Sequence, residues 1–355
     1  MKKEKLNEEI KKNKEEEELI YIKHYSFQNI SEYKTFFREY RALKMIKNKS
    51  DYLIQLKNIK FQNKDNKTEI DLIFPNEGID LSSLINANNY DYRNNKHLIK
   101  WILFQILKGI EVLHSLNIIH RNIYPKHILI SSIGKITLSG FGNSINDNES
   151  EIVEDKNVGE LAYFPPECLV GLNCNHKIDI WCVGVLMLEL YYKKNKLFLY
   201  KENIRDEDYN KIFFKQLKYL SNFFGINYDF NCNCNCKEKN NTKEYLISWL
   251  KNIKFDKKYF IKKFNDIKDL DDNALDLLRK LLAFNPEERI SANDALKSEY
   301  FKEFQEINCE DYNLPKFLKN IENEFRKIGE LSDDKIIKIL NNKLIKICKN
   351  ESNFL

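Results

Sequence analysis

An α+β fold in two lobes, a truncated β-rich lobe followed by a larger helical one, is what this sequence predicts, and three observations predict it. Residues 19–74 carry alternating apolar runs and one helical pattern. Two short apolar strands, HILI at 127–130 and KITL at 135–138, flank the turn SSIG and read as a hairpin. From Asn95 onward, long apolar stretches recur at helical spacing. With 355 residues, 43% of them hydrophobic and 13% aromatic, the chain can bury a core in each lobe.

Residues 1–18 are nearly all Lys, Glu and Asn and read as a charged tail with little to bury. The run LIYIKHYSF from Leu19 alternates as a strand does. YKTFFREYRALKMI then places Phe36, Phe37, Tyr40, Leu43 and Ile46 near helical spacing. A strand pair follows around Tyr52–Lys60 and Glu69–Phe74, split by the polar run QNKDNKT. The small lobe spans about residues 19–85 and the large one about 86–303. The large lobe opens on an apolar helix near His97–Leu116, passes through the hairpin and a polar, acidic loop at Asn143–Gly159, and continues into PPE and the buried helix IDIWCVGVLMLEL. An Asn/Cys-rich insertion at about 231–242 interrupts it. In the extension 304–355, Leu314, Phe317, Leu318, Ile321 and Phe325 have helical spacing and pack on the body or engage a partner.

A formal charge of +5, from 58 basic and 53 acidic residues spread throughout, gives a weak field and no basic stripe for nucleic acid. No apolar stretch reaches the roughly 18–20 residues of a membrane span, and the charged N-terminus is unlike a signal peptide. The expectation is an intracellular protein, cytoplasmic or nuclear, whose single cysteines Cys168, Cys174, Cys182, Cys309 and Cys348 stay reduced. Cys232, Cys234 and Cys236 alternate in NCNCNC, too closely spaced for a closed zinc site, so no metal site is assigned.

The chemistry is carried by HRNIYPKHILI at 120–130. This segment resembles the catalytic loop of eukaryotic protein kinases, H-R-D-L-K-P-x-N and a short strand, with His120, Arg121 and Pro125 matching. The resemblance implies a protein-kinase-like fold over residues 19–303. It places Asn122 where the family has the aspartate that takes the substrate proton, Tyr124 at the lysine that supports the transferring phosphate, and His127 at a magnesium-binding asparagine. SGFG sets Gly140, Phe141 and Gly142 on Asp-Phe-Gly, so Gly140 replaces the magnesium-binding aspartate. Lys23 resembles the third-strand lysine and Glu39 its helical partner, as nucleotide contacts or as a structural ion pair. The first glycine in the chain is Gly78, so the glycine-rich phosphate loop has no counterpart.

The family's structural residues have matches. Glu167 of PPE resembles the Ala-Pro-Glu glutamate and would pair with Arg289, and Asp179 of DIWCVG resembles the aspartate that braces the catalytic loop. Asp155 falls near the position of the family's phosphorylated threonine and offers a fixed carboxylate that would pair with Arg121. FREYRALKMI, LIFPNEGIDLSSLI and LLRKLLAFNPEERISANDAL look most like the group of cyclin-dependent and MAP kinases, in which Arg38 and Glu39 would lie on the cyclin-docking helix. The reading is a degenerate, pseudokinase-like member that acts as a scaffold or allosteric partner of a cyclin-like protein or an active kinase. Its rivals are a weakly active serine/threonine kinase, which would need ATP and Mg2+, and an ATP sensor without transfer.

Overall fold

The alternating run LIYIKHYS forms β2 (Leu19–Ser26), which pairs antiparallel with β4 (Lys67–Pro75) in a register that sets Lys23 opposite Leu72. The computed structural model describes residues 7–12, 19–27, 30–64, 67–87, 92–94, 96–131, 133–147, 158–171, 175–194, 196–199, 209–226, 257–264, 267 and 270–305. With β1 (Asn7–Lys12) beside β2, and β3 (Asn58–Lys64) beside β4, the sheet has the order β1-β2-β4-β3.

The charged run 1–18 is not tail throughout, because β1 lies within it. An edge strand needs only one neighbour's backbone groups, so a Lys- and Glu-rich segment can pair without an apolar face. The strand expected from Tyr52 starts at Asn58. Tyr52 and Ile54 instead bond to β8 (Ile136–Leu138): the Leu138 N–H donates to the Tyr52 carbonyl at 2.8 Å, and the Ile54 N–H to the Leu138 carbonyl at 2.9 Å.

Helix α1 (Ile30–Met45) buries Phe36 and Leu43, with Ile46 just past its end. Glu39 lies three residues after Phe36, on the same face, so its carboxylate is carried into the interior and needs a partner there.

In the larger lobe, α2 (Leu81–Ile85) precedes α3 (Lys96–Ser115), which buries Leu98, Ile99, Ile102, Leu103, Ile106, Leu107, Ile110 and Leu113. α4 (Pro166–Leu169) leads toward α5 (Lys177–Tyr192), which is apolar on every side and therefore sits at the centre. α6 (Tyr209–Phe223), α7 (Lys257–Phe264), α8 (Asp272–Leu281) and α9 (Ala292–Leu296) complete the lobe. Gly184 lets α5 lie close against the chain at the end of α8, since a Cβ there would stand 2.6 Å from the Leu282 side chain.

Short strands frame the site. β5 (Ile79–Asp80), β7 (Ile128–Ile130) and β8 form one sheet, while β6 (Ile118–Ile119) pairs with β9 (Ile145–Asn146). Residues 120–127 therefore run between β6 and β7, beside residues 139–144 between β8 and β9. Gln105 of α3 fixes the hairpin by accepting from the Ile136 N–H and donating to the Gly134 carbonyl, both at 3.0 Å. The lobes are joined through Glu77, whose carboxylate accepts from Lys135 Nζ at 3.1 Å and from the Thr137 hydroxyl at 3.3 Å.

Phe304 is buried against Trp101 and Phe104, so the body extends to the end of the described chain at 305. Asp155, the 231–242 insertion with Cys232, Cys234 and Cys236, and residues 306–355 lie outside the described residues. Among the described residues, no helix is long and apolar enough to cross a membrane, and no cluster of three metal-ligating side chains occurs. Cys182 is free and buried, whereas Cys168, expected reduced, is disulfide-bonded. Sequence spacing gave no sign of that bond.

Candidate functional site

Asp179 organises the loop from beneath. Its carboxylate, with no exposed surface, accepts from the His120 N–H, the Arg121 N–H and His114 Nε2, each at 2.9 Å. Burial alone would raise this carboxyl, but His114 and the loop donors outweigh it and hold the group below the usual carboxylate range. The same bonds keep Arg121 at φ 61°, a left-handed conformation that few non-glycine residues adopt. Arg121 Nε in turn donates to the Asn143 carbonyl at 2.6 Å, tying the two loops together. His120 Nε2 lies 2.9 Å from the Ser139 carbonyl, and its ring meets the buried Phe141 at 4.9 Å. Burial lowers its pKa, so the ring is neutral at physiological pH.

Asn122, Tyr124, His127 and Gly140 meet above this base. His127 Nδ1 lies 3.0 Å from the Asn122 carbonyl, which can only accept, so Nδ1 carries the proton. The Tyr124 ring stands edge-on to the imidazole at 4.5 Å. Burial, with nearby His120 and Lys23 acting in the same direction, pushes the His127 pKa down to about 3. Gly140 sits at φ 80°, and a Cβ there would lie 2.5 Å from His127 Cγ and Cδ2 and 2.7 Å from Nδ1.

In the smaller lobe, Lys23 Nζ bonds to Glu39 Oε2 at 2.6 Å in a nearly dry setting. Tyr25 adds a group that the sequence did not single out. Its hydroxyl donates to the same Glu39 oxygen, and Lys23 Nζ lies 5.3 Å from its ring centroid. Burial, then the adjacent Glu39 charge, drives the phenol far above its ordinary pKa. Glu167 and Arg289, both buried, form a fork with contacts of 2.6 and 3.0 Å.

A family model described as protein kinase domain matches residues 9–301. The chain belongs to the protein kinase family. It is 27% identical over 275 residues to mitogen-activated protein kinase 13 of Arabidopsis thaliana, covering 77% of this chain and 70% of that protein. It is 28% identical over 314 residues to mitogen-activated protein kinase 17 of Oryza sativa subsp. japonica, covering 87% and 50%. To mitogen-activated protein kinase 8 of Arabidopsis thaliana it is 27% identical over 316 residues, covering 87% and 49%. The kinase chain thus spans about half the length of several curated relatives that it matches.

At the two positions that the resemblance sets on the family's magnesium ligands, the residues present do not fit that ion. Magnesium takes oxygen ligands in a near-octahedral array. Position 140 of this kinase domain supplies no side chain, and position 127 supplies a neutral imidazole with one nitrogen engaged. Nor can the amide of Asn122 accept a proton as a carboxylate does.

Sequence reading also missed Glu189 of α5. It accepts from the Tyr163 hydroxyl and, at 2.9 Å, from the Leu197 N–H. Burial pushes its carboxyl up to about 7, with Glu160 adding to the rise and those hydrogen bonds opposing it. A carboxyl raised on folding favours the native state most below its unfolded pKa, and that advantage is lost as pH climbs through the folded value. Wild type should therefore lose on the order of 2 kcal/mol relative to Glu189→Gln between pH 5 and pH 8. Urea midpoints at both pH values check this, and a gap that stays constant would refute it.

Proposed function

We propose that this kinase domain has lost phosphoryl transfer and works by binding another protein, as a scaffold or allosteric partner in intracellular kinase signalling. One observation carries the reading. The positions corresponding to the proton acceptor and both metal ligands converge in one place and present an amide, a neutral imidazole and bare backbone. Phosphoryl transfer depends on positioning and on charge supplied by carboxylates and metal, so replacing all three positions removes its main sources of stabilisation.

The groups that hold the shape contrast with this. His120, Arg121, Phe141, Asp179, Glu167 and Arg289 keep dense hydrogen bonding or packing. An active kinase or a cyclin-like protein would then read the preserved surface, with α1 and its Arg38 as the element to test first, Glu39 being buried against Lys23 and Tyr25.

The Lys23–Glu39 pair favours a second reading, an ATP sensor without transfer, because a lysine already oriented by a carboxylate can meet a phosphate. Thermal melts with ATP, with and without Mg2+, combined with phosphate incorporation into a general protein substrate, separate these readings. The scaffold reading expects neither stabilisation nor incorporation. Stabilisation by ATP alone favours the sensor. Magnesium-dependent stabilisation together with incorporation would overturn the proposal in favour of an atypical serine/threonine kinase.

A further inference from the structure

The three distances from a Cβ at position 140 to the His127 ring are nearly equal, at 2.5, 2.5 and 2.7 Å. Cγ is bonded to the other two atoms, so the point lies over the face of the imidazole and not at its rim. The ring turns its face to the place that a side chain at 140 would fill. Ordinary carbon contact needs about 3.5 Å or more, so any side chain at 140 requires the ring to retreat by about an ångström.

The surroundings oppose that retreat. The Tyr124 ring stands 4.5 Å away, Nδ1 is held by the Asn122 carbonyl, and the His127 N–H donates to the Tyr124 carbonyl at 2.9 Å. The backbones cannot part instead, because the Ser139 N–H donates to the His127 carbonyl at 2.8 Å immediately before Gly140.

We infer that His127 and Gly140 are a coupled pair: the imidazole occupies the volume that a side chain at 140 would need, so a carboxylate placed at 140 has no room to hold a divalent cation while the ring is there. The inference deepens the proposed loss of transfer, since it names what fills the place of that carboxylate. It also reverses an intuitive expectation, because restoring a carboxylate at 140 alone does not restore a cation site. The remaining imidazole nitrogen, Nε2, is a neutral acceptor, suited to a hydrogen-bond donor and poorly suited to magnesium.

Four proteins test this: wild type, Gly140→Asp, His127→Asn, and the double variant. Gly140→Asp should lower Tm by roughly 5 °C through overpacking and left-handed strain. The strain is common to both backgrounds and cancels in the comparison, leaving the steric coupling. The double variant should recover at least half of that loss and should alone gain stabilisation from MgCl2 plus ATP. If Gly140→Asp does not fold while the double variant does, the coupling is established in stronger form; if both fail to fold, it is overturned. Additive Tm changes, or a magnesium-dependent shift in Gly140→Asp with His127 still present, also overturn it. Phosphate transfer by wild type would refute the loss of transfer, while the coupling would still be judged by additivity.

Discussion

Arg289→Ala should lower the stability of the larger lobe by roughly 3–5 kcal/mol, because it strands a buried carboxylate. Glu167 is 2% exposed and meets both terminal guanidinium nitrogens. The same guanidinium donates to the carbonyls of Ala283 at 3.0 Å and Lys177 at 2.9 Å, and stacks at 5.1 Å on Trp181. One residue therefore joins α4, the start of α5 and the chain following α8. Removing it leaves an unpaired charge, two carbonyls without their donor and a void against the indole. Lysine cannot reproduce the planar fork, so Arg289→Lys should recover only a minor part. Replacing Glu167 and Arg289 together with methionine should cost less than Arg289→Ala alone, since no charge is then buried unpaired. Urea unfolding followed by tryptophan fluorescence measures all three, and a loss below about 1 kcal/mol for Arg289→Ala would contradict the account.

Asp179→Ala should cost about 3–5 kcal/mol, because two buried backbone N–H groups lose their acceptor at about 1–3 kcal/mol each and His114 loses its partner. The substitution also frees Arg121 from its left-handed conformation, so the loop it braces should rearrange. Amide hydrogen exchange reads this directly. His120 and Arg121 should be strongly protected in wild type and exchange many times faster in Asp179→Ala, at a temperature where both proteins are folded. Unchanged exchange at those two amides would show that the loop holds itself. Since the Asp179 carboxyl is held below its ordinary range, its contribution is full above that range and is withdrawn only as pH falls through the depressed value.

Much of this was legible in the chain because the signals were periodic or ordered. The eight buried aliphatic residues of α3 follow the helical repeat, and the hairpin of β7 and β8 is two short, largely apolar strands about a turn. Glu167 and Arg289 could be paired from motif order, although 122 residues separate them. What escaped was decided by partners distant in sequence. β1 looks like tail because edge pairing uses backbone and leaves no apolar trace. Tyr25 reads as one more aromatic in an alternating strand, and only the fold brings its hydroxyl to Glu39. His114 and Glu189 are ordinary helical residues until the carboxylate of one element and the phenol of another meet them. The exchange of bulk between positions 127 and 140 was visible as two separate substitutions, but their contact depends on a backbone bond between strands.

The attachment of Glu77 to Lys135 and Thr137 bears on how this molecule would meet others. On the other side of the same hairpin, Tyr52 and Ile54 are bonded to Leu138, so the crossing between lobes is pinned at two points. A pivot fastened twice has little freedom to swing. A protein that touched both lobes would find their relative placement settled at folding, and association would forfeit little motion. Its signature would be slow departure, with the arrival rate left ordinary.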